Sequence, residues 1–274
     1  MSLLSNKRVH MVLQPGAMRA SLWRGRFRPT RIAAQARDAD IDGVGALLQA
    51  LAQQAPIAGA SLHVAVADAL VHFDVAAGDF GSQSARQLRT LASACATDLL
   101  GERAHDHALR WQLQRDERHL VICAIPNPVI SALTVAAAAH KLRLTSISPN
   151  FSAQWNRHAH RPLPDNAVFA VSSGVNAMIA CVRRGIITAM SNGPWCAGAQ
   201  AEGHRPYPAS TGPEHRKSSG NANLGALDIH VDRLLAGLGF DSGDRSAYLL
   251  VTDADARSSL SRRWKVLSPI EAPK

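Results

Sequence analysis

Two parts of the sequence carry the same order of secondary-structure signals: three antiparallel strands, a helix, a strand, a helix and a further strand. The first meander is predicted over residues 9–35, with tight turns at Pro15-Gly16 and Arg24-Gly25. The second begins with AVFAVSS and turns at Gly174 and Gly185. A meander followed by crossover helices gives a mixed sheet, because crossover connections join parallel strands. The sequence therefore predicts an α/β protein built from two similar lobes.

Helical periodicity supports this order in the first half. One helix is predicted after an Asp-rich stretch, and a second, ending at Gly101, follows a strand or strand pair. The first helix presents Val44, Leu47, Leu48 and Leu51 on one face, and the second presents Leu88, Leu91, Ala92, Cys95 and Leu99. The Ala-rich stretch 129–142 is apolar nearly all round, which predicts a helix buried on more than one side.

A polar stretch over residues 151–165 separates the two predicted lobes. We expect the first lobe to span residues 1–150 and the second residues 151–274. Within the second lobe, residues 197–223 are rich in Gly, Pro and Ser and contain almost nothing to bury, which predicts a flexible or partly disordered insertion. A helix that presents Leu227, Val231, Leu234 and Leu238 is expected to follow it.

Composition favours a cytoplasmic protein. The longest apolar run, 129–139, is too short to span a bilayer, and the first ten residues lack the apolar core of a signal peptide. The four cysteines are scattered without a C-x-x-C pair, which predicts reduced thiols.

The charge is strongly basic and uneven. The net charge is +9, and residues 1–37 hold eight Lys/Arg and no acidic residue. A basic face suits an anionic membrane surface, an acidic partner or nucleic acid, and equally a solvated surface. Nucleic acid is the weaker expectation because Arg19, Arg24, Arg26, Arg28 and Arg31 form no compact run and only two aromatic residues, Trp23 and Phe27, lie among them.

Several long segments resemble the actin-like ATPase superfamily, in the small bacterial branch of PilM and the cytoplasmic domain of GspL. The resemblance runs from about residue 9 to residue 267 and rests on VHMVLQPGAMRASLWRG, LHVAVADALVHFDVAAG, HLVICAIPNPVISALTVAAAAHKLRLTSISP and AVFAVSSGVNAMIACVRRG. It implies duplicated actin-like lobes. It also implies a cytoplasmic assembly scaffold at the inner membrane. Its first expected partner is a bitopic membrane protein, and the second is a hexameric secretion or pilus ATPase.

In active members of that superfamily, each meander carries an Asp-x-Gly-like turn that cradles phosphate and organises Mg²⁺. The corresponding turns here are Gln14-Pro15-Gly16 and Ser172-Ser173-Gly174, which keep the glycine and lack the aspartate. Hydrated Mg²⁺ needs a hard carboxylate oxygen, and Pro15 has no N–H to offer a phosphate. These turns are therefore either a vestigial nucleotide cleft or plain hairpins. We predict no catalytic residues, no Mg²⁺-dependent hydrolysis and no required cofactor, with ATP binding left as an alternative.

No metal site is predicted, because the pairs His105-x-His107 and His158-x-His160 have no cysteine or acidic cluster beside them. Asp253 and Asp255 are predicted to cap a helix N-terminus, with a position facing the cleft between the lobes as the alternative. Three functions remain in order of preference: a non-catalytic scaffold, an actin-like ATPase or small-molecule kinase, and a nucleic-acid-binding protein.

Overall fold

The computed structural model describes residues 7–25, 29–38, 40–158, 165–173, 176–194, 219–238, 247–251 and 264–267. They belong to two compact units, one that holds the chain up to His160 and one between Arg161 and Pro269. Each unit contains a five-stranded mixed sheet. The predicted α/β class and the duplicated mixed sheet with a three-strand meander are confirmed.

The described residues of the first unit form eight strands and four α-helices. In chain order these are β1 (Lys7–Gln14), β2 (Ala17–Arg24), β3 (Thr30–Arg37), α1 (Val44–Gln54), β4 (Ser61–Val66), β5 (His72–Ala77), α2 (Ala85–Leu100), β6 (His107–Leu113), β7 (His119–Pro126), α3 (Asn127–Ala139), β8 (Arg143–Pro149) and α4 (Asn150–His158).

The large sheet of this unit has the order β3-β2-β1-β4-β8. The three meander strands pair antiparallel, whereas β1, β4 and β8 run parallel. Because side chains alternate between the faces of a strand, Val9, Met11 and Leu13 point to one face, where all are at most 2% exposed. Helix α1 packs on β2 and β3 at that face, and α3 packs beside it on α1 and β8. The apolar core of the unit lies between this face and the two helices.

An insertion after β4 forms a small second layer with its own core. Its sheet has the order β5-β7-β6, and Phe80, Leu88 and Ile122 are buried between the sheet and α2. Helix α2 begins with a capping box, in which Ser84 accepts from the Gln87 N–H and the Gln87 side chain accepts from the Ser84 N–H.

The second unit repeats the first in outline. Its strands are β9 (Asn166–Ser173), β10 (Asn176–Arg183), β11 (Ile186–Pro194), β12 (Ala247–Val251) and β13 (Trp264–Leu267), and helix α5 spans Ser219–Gly237. The sheet order β11-β10-β9-β12-β13 places the strands as in the first unit. Helix α5 packs on β11, and its Leu227 and Val231 are fully buried against the sheet.

The two predicted helical faces of the first unit are largely as expected. All four residues predicted for α1 are buried. In α2, Leu88 and Ala92 are buried, but Leu99 is 49% exposed and Leu100 takes the buried position at the end of the helix. Gly101 ends α2 with a φ of 62°. The left-handed region explains why glycine stands there.

Three expectations need correction. The Ala-rich helix α3 is buried on one side only, because Val135 is 70% exposed. Residues 150–158 form α4 and pack on the first unit, although we placed residues from 151 onward in the second lobe. Residues 219–223 belong to α5, so the last part of the predicted insertion 197–223 is helical. The rest of that insertion, Cys196 and Asp253–Asp255 lie outside the described residues.

Candidate functional site

The second face of the large sheet in the first unit carries polar and basic side chains in rows across β1, β2 and β3. In one row, Trp23 pairs with Arg8 on one side and with Arg31 on the other. In the next row, Ser21 pairs with His10 and with Ala34. In the third row, Arg19 of β2 pairs with Val12 and with Ala36. The β1 and β2 side chains share one face because they occupy alternate positions, and on β3 a register shift opposite Leu22 and Trp23 separates Arg31 from Ala34 by three positions.

Helix α4 lies against the other half of this face, on β8 and β4. Its position is fixed by Asp68, a buried residue just after β4. The Phe151 N–H donates to both carboxylate oxygens, at 2.8 Å to Oδ1 and 3.0 Å to Oδ2. The Phe151 ring stacks on Trp155 and meets Phe73 edge-on at 5.9 Å. Asp68, which lies 83 positions before Phe151 in the sequence, therefore holds the start of α4.

Burial raises the pKa of Asp68 to about 7, against the opposing effect of the Phe151 N–H bond. Removing a carboxylate from water penalises its charged form, and accepting a hydrogen bond favours it. The burial effect is the larger of the two here. The group that holds α4 therefore titrates near neutral pH.

A groove of about 720 Å³ lies between α4 and the β1–β3 half of the face. Its volume falls within the usual range for ligand sites. Among the described residues, four arginines line it, Arg8, Arg19, Arg31 and Arg157, and no acidic residue does. Among the described residues, Arg8, Arg19 and Arg31 form no ion pair. The groove is therefore a strongly positive concave surface.

Two histidines form part of the groove floor. His10 stacks on His63 with a centroid distance of 5.4 Å and meets Trp23 edge-on at 6.4 Å. His63 Nδ1 lies 2.9 Å from Ser146 Oγ. Burial, with smaller contributions from His63, Arg8 and Arg157, lowers the pKa of His10 to about 4. Burial and nearby arginines also lower the pKa of His63. Both imidazoles are thus neutral at neutral pH, and the surroundings oppose further positive charge.

The groove also contains a polar atom that lacks a partner. Gln154 on α4 is 8% exposed, and its Oε1 is buried without a hydrogen bond. Leaving a buried acceptor unsatisfied costs about 1–3 kcal/mol. Gln154 lines the groove beside Ala153 and Arg157.

Of the two turns predicted as a vestigial nucleotide site, the one in the first unit, at Gln14 and Gly16, does not line this groove. Gln14 ends β1 and pairs with Ala17, and Gly16 forms the turn with a φ of 70°. In the second unit, Ser172 and Ser173 end β9 and pair with β10, and Gly174 lies outside the described residues. Each turn thus occupies the same place in its own unit, between the first two strands of the meander. Their assignment to nucleotide binding stays a prediction.

Other predicted features are placed as follows. Within the described parts of the chain, no group of three or more His, Cys, Asp or Glu residues is arranged to hold a metal ion. Cys95, Cys123 and Cys181 are free thiols. No helix among the described residues is long and apolar enough to cross a membrane.

Comparison with solved structures identifies the fold. The chain superposes with a TM-score of 0.60 on a protein of the PilM–PilN type IV pilus biogenesis complex, at 12% identity and over 96% of this chain and 88% of that one. A Bacteroides thetaiotaomicron protein described as having an actin-like ATPase fold and unknown function matches with a TM-score of 0.57, at 9% identity and over 96% and 91%. The chain has an actin-like ATPase fold.

The cytoplasmic domain of EpsL, an inner-membrane component of the Vibrio cholerae type II secretion system, matches with a TM-score of 0.48 at 12% identity, over 69% of this chain and 71% of that one. No protein-family model and no curated protein sequence matches the chain. The actin-like fold accounts for the repeated order of strands in the two sheets.

Sequence reasoning missed the groove as a site. The available signal was the strand period: Arg8, Arg19 and Arg31 all fall on the polar face of the meander strands, while the apolar residues between them face the core. We treated the arginines as scattered because they are distant in sequence. Strand pairing brings two of them to either side of Trp23.

Proposed function

We propose that the chain is a non-catalytic scaffold of a type IV pilus or type II secretion-like assembly platform. In this role it acts in the cytoplasm at the inner-membrane face and docks a cytoplasmic segment of a bitopic membrane protein. The hexameric assembly ATPase is a further partner. The observation that carries the proposal is the shared fold, over 96% of the chain, with a protein of the PilM–PilN pilus biogenesis complex.

The chemistry of the first meander turn supports a non-catalytic role. In actin-like enzymes a carboxylate at this turn organises Mg²⁺, which then neutralises the phosphate charge. Gln14 supplies a neutral amide instead, and Pro15 removes a backbone donor. In the second unit, Ser172 and Ser173 likewise provide no carboxylate. A phosphate could meet hydroxyl groups at these turns, but the metal would have no charged ligand from them.

The proposed partner is tested by purifying the tagged full-length chain from detergent-solubilised membranes of cells that carry its gene. We expect a protein with one predicted transmembrane helix to co-purify in near-equal amount and to be absent when a tag-only control is used. Recovery of the chain only from the soluble fraction, with no membrane protein, contradicts the proposal.

The non-catalytic part is tested separately with Mg·ATP. We expect no steady phosphate release above the background of a heat-denatured sample. Turnover that is lost in Ser172→Ala or Ser173→Ala, while Ser93→Ala on the exposed face of α2 retains it, would instead assign the chain to the actin-like ATPases or small-molecule kinases.

A further inference from the structure

We propose that the groove between α4 and strands β1–β3 binds an acidic amphipathic helix of a partner protein. The inference deepens the proposed scaffold role, on which it rests, by giving the chemistry of the docked segment. Three independent observations point to it: the uncovered half of the sheet face, the arginines that line it without any acidic residue, and the buried Gln154 Oε1 that lacks a hydrogen bond.

The width of the sheet defines the shape of the occupant. Five strands spaced about 4.8 Å apart span about 19 Å, and a helix with its side chains is about 10 Å wide. Each face therefore has room for two helices side by side. The first face holds α1 and α3, but among the described residues the second face holds only α4, on β4 and β8. The vacant half matches one helix.

The floor of the vacant half permits close approach. Ala34 and Ala36 are small and exposed, Ser21 lies beside them, and Val12 is 38% exposed. A helix with a stripe of small or apolar residues can pack on such a surface at ordinary helix-to-sheet distance. Trp23 adds a large apolar contact, because its indole N–H is already satisfied by Ser21 Oγ at 2.9 Å.

The positions of the arginines define the charge pattern of the occupant. Arg8 and Arg31 flank Trp23 in one row. Arg19 precedes Trp23 by four residues on the same strand, which is about 13 Å at 3.3 Å per residue. A helix rises 1.5 Å per residue, so about 13 Å corresponds to about nine residues. The nearest positions on the same helix face are i+7 and i+8, about 11–12 Å away, so carboxylates at that spacing face both ends of the groove. Arginine forks bind carboxylates in bidentate geometry, which favours Asp and Glu as partners.

The Gln154 carboxamide adds a requirement for a donor. Backbone N–H groups in the middle of a helix are already bonded within the helix. The Gln154 Oε1 atom is covered in the unbound groove. We expect the carboxamide to turn towards the occupant on binding and to accept from a side-chain donor such as Ser, Thr, Asn or Gln. A lipid headgroup supplies phosphate but no amphipathic stripe, and a nucleic acid supplies evenly spaced phosphates. The groove combines small floor residues, one acceptor and separated arginines. This combination favours an acidic helix over a lipid headgroup or a nucleic acid.

The ligand preference of the groove can be determined without knowing the natural partner. The full-length chain is immobilised and used to select from a displayed library of random 16-residue peptides, and the winners are measured by fluorescence anisotropy. We expect the enriched peptides to be acidic, with Asp or Glu seven to eight positions apart beside an apolar stripe. We expect their affinity to fall at least tenfold in the double variant Arg8→Glu/Arg31→Glu.

The matched control is Arg86→Glu/Arg89→Glu, the same charge change on the exposed side of α2. The affinity of this control variant for the selected peptides should stay within about twofold of the wild-type value. Circular dichroism should show that both variants remain folded. If the groove variant does not fold, Ala34→Trp, which fills the floor without changing the charge, replaces it and should also abolish binding.

Four results overturn the inference. The first is selection of neutral or basic peptides, and the second is selection of acidic peptides whose affinity is unchanged by the groove substitutions. The third is groove-dependent binding to vesicles of 30% phosphatidylglycerol or to oligo-dT when no acidic peptide is selected. The fourth is a groove-dependent dimer of the chain itself. If the membrane protein co-purifies equally with wild type and with Arg8→Glu/Arg31→Glu, the groove is not the docking site, but the proposed scaffold role still holds. Loss of that membrane partner from the wild-type experiment refutes the scaffold role instead.

Discussion

The two faces of the large sheet in the first unit are built from the same strands and differ in every physical property. One face presents Val9, Met11 and Leu13 to helices α1 and α3 and is closed to water. The other presents Arg8, His10 and Val12 from between those residues and is half open. A solvated sheet face usually mixes charges of both signs. No acidic residue is among the described residues that line this groove, and the proposed binding surface rests on that charge pattern.

The largest expected difference between the faces is in stability. Leu13 and Val12 are neighbours on β1, at 2% and 38% exposure. Leu13→Ala should lower the free energy of unfolding by about 2–5 kcal/mol, because it leaves a cavity in a packed core. Val12→Ala should cost under about 1 kcal/mol, since much of its side chain is already in water. Urea denaturation followed by circular dichroism measures both.

Equal losses for the two variants would mean that another part of the chain covers Val12. In that case the second face would be a core surface, and the groove would not be available to a partner.

The next prediction concerns Asp68, which holds the helix on the second face. Its pKa rises from 3.8 to about 7 on folding, so the folded state binds the proton more tightly than the unfolded state between these values. The contribution of this carboxyl group to stability is therefore largest below pH 3.8 and is lost as pH rises towards 7. Between pH 5 and pH 8 the loss is about 3 kcal/mol, because stability falls by about 1.4 kcal/mol per pH unit until the pH reaches the folded-state pKa of about 7.

Asp68→Asn removes this titration and keeps an oxygen that accepts from the Phe151 N–H. Relative to wild type, the variant should gain stability by about 3 kcal/mol as the pH is raised from 5 to 8. Asp98→Asn, at an exposed position on α2, should show no such trend. Chemical denaturation at a series of pH values measures the difference, and parallel curves for Asp68→Asn and wild type would show that the carboxyl group is not buried.

The third prediction separates stability from binding on the α4 wall. Gln154→Leu replaces an unsatisfied buried acceptor with an apolar group of similar size. It should raise the free energy of unfolding by about 1 kcal/mol and weaken binding of a selected acidic peptide. Gln53→Leu, at an exposed position on α1, should change neither quantity appreciably. A loss of stability in Gln154→Leu would indicate that the carboxamide serves the fold and not a ligand.

The contrast between the faces also explains what could be predicted from the sequence. Alternation along β1 and β2, with turns at Gly16 and Gly25, was enough to predict the meander, because strand period and turn chemistry are local. The same held for α1, whose apolar stripe is local. The closed face and the fold class follow from such signals.

The open face depends on contacts between distant residues. Helix α4 was missed because its start is held by Asp68, 83 positions from Phe151 in sequence. The row of Arg8, Trp23 and Arg31 exists only through strand pairing, and a bulge after Leu22 shifts its register. The sequence predicts the period of each strand, but it does not give the strand pairing and register that decide which arginines become neighbours.

The smallest expected effect is on the pH dependence of binding at the groove floor. Burial keeps the pKa of His10 near 4, with His63 and Arg8 adding to the effect. A carboxylate placed nearby by an acidic helix favours the charged imidazolium and raises that pKa. Binding then takes up protons, so affinity should increase as the pH falls from 7 to 5, by about threefold. Fluorescence anisotropy with a selected peptide measures this directly.

His10→Gln should flatten the dependence, whereas His105→Gln, at a side chain that is 77% exposed, should leave it intact. Measurements stop at pH 5 because the peptide carboxylates themselves protonate below it. Affinity that falls on acidification would mean that the ligand meets His10 with a donor or a cation. The basic face would then be selecting something other than an acidic helix, while the packed face beneath it would be unaffected.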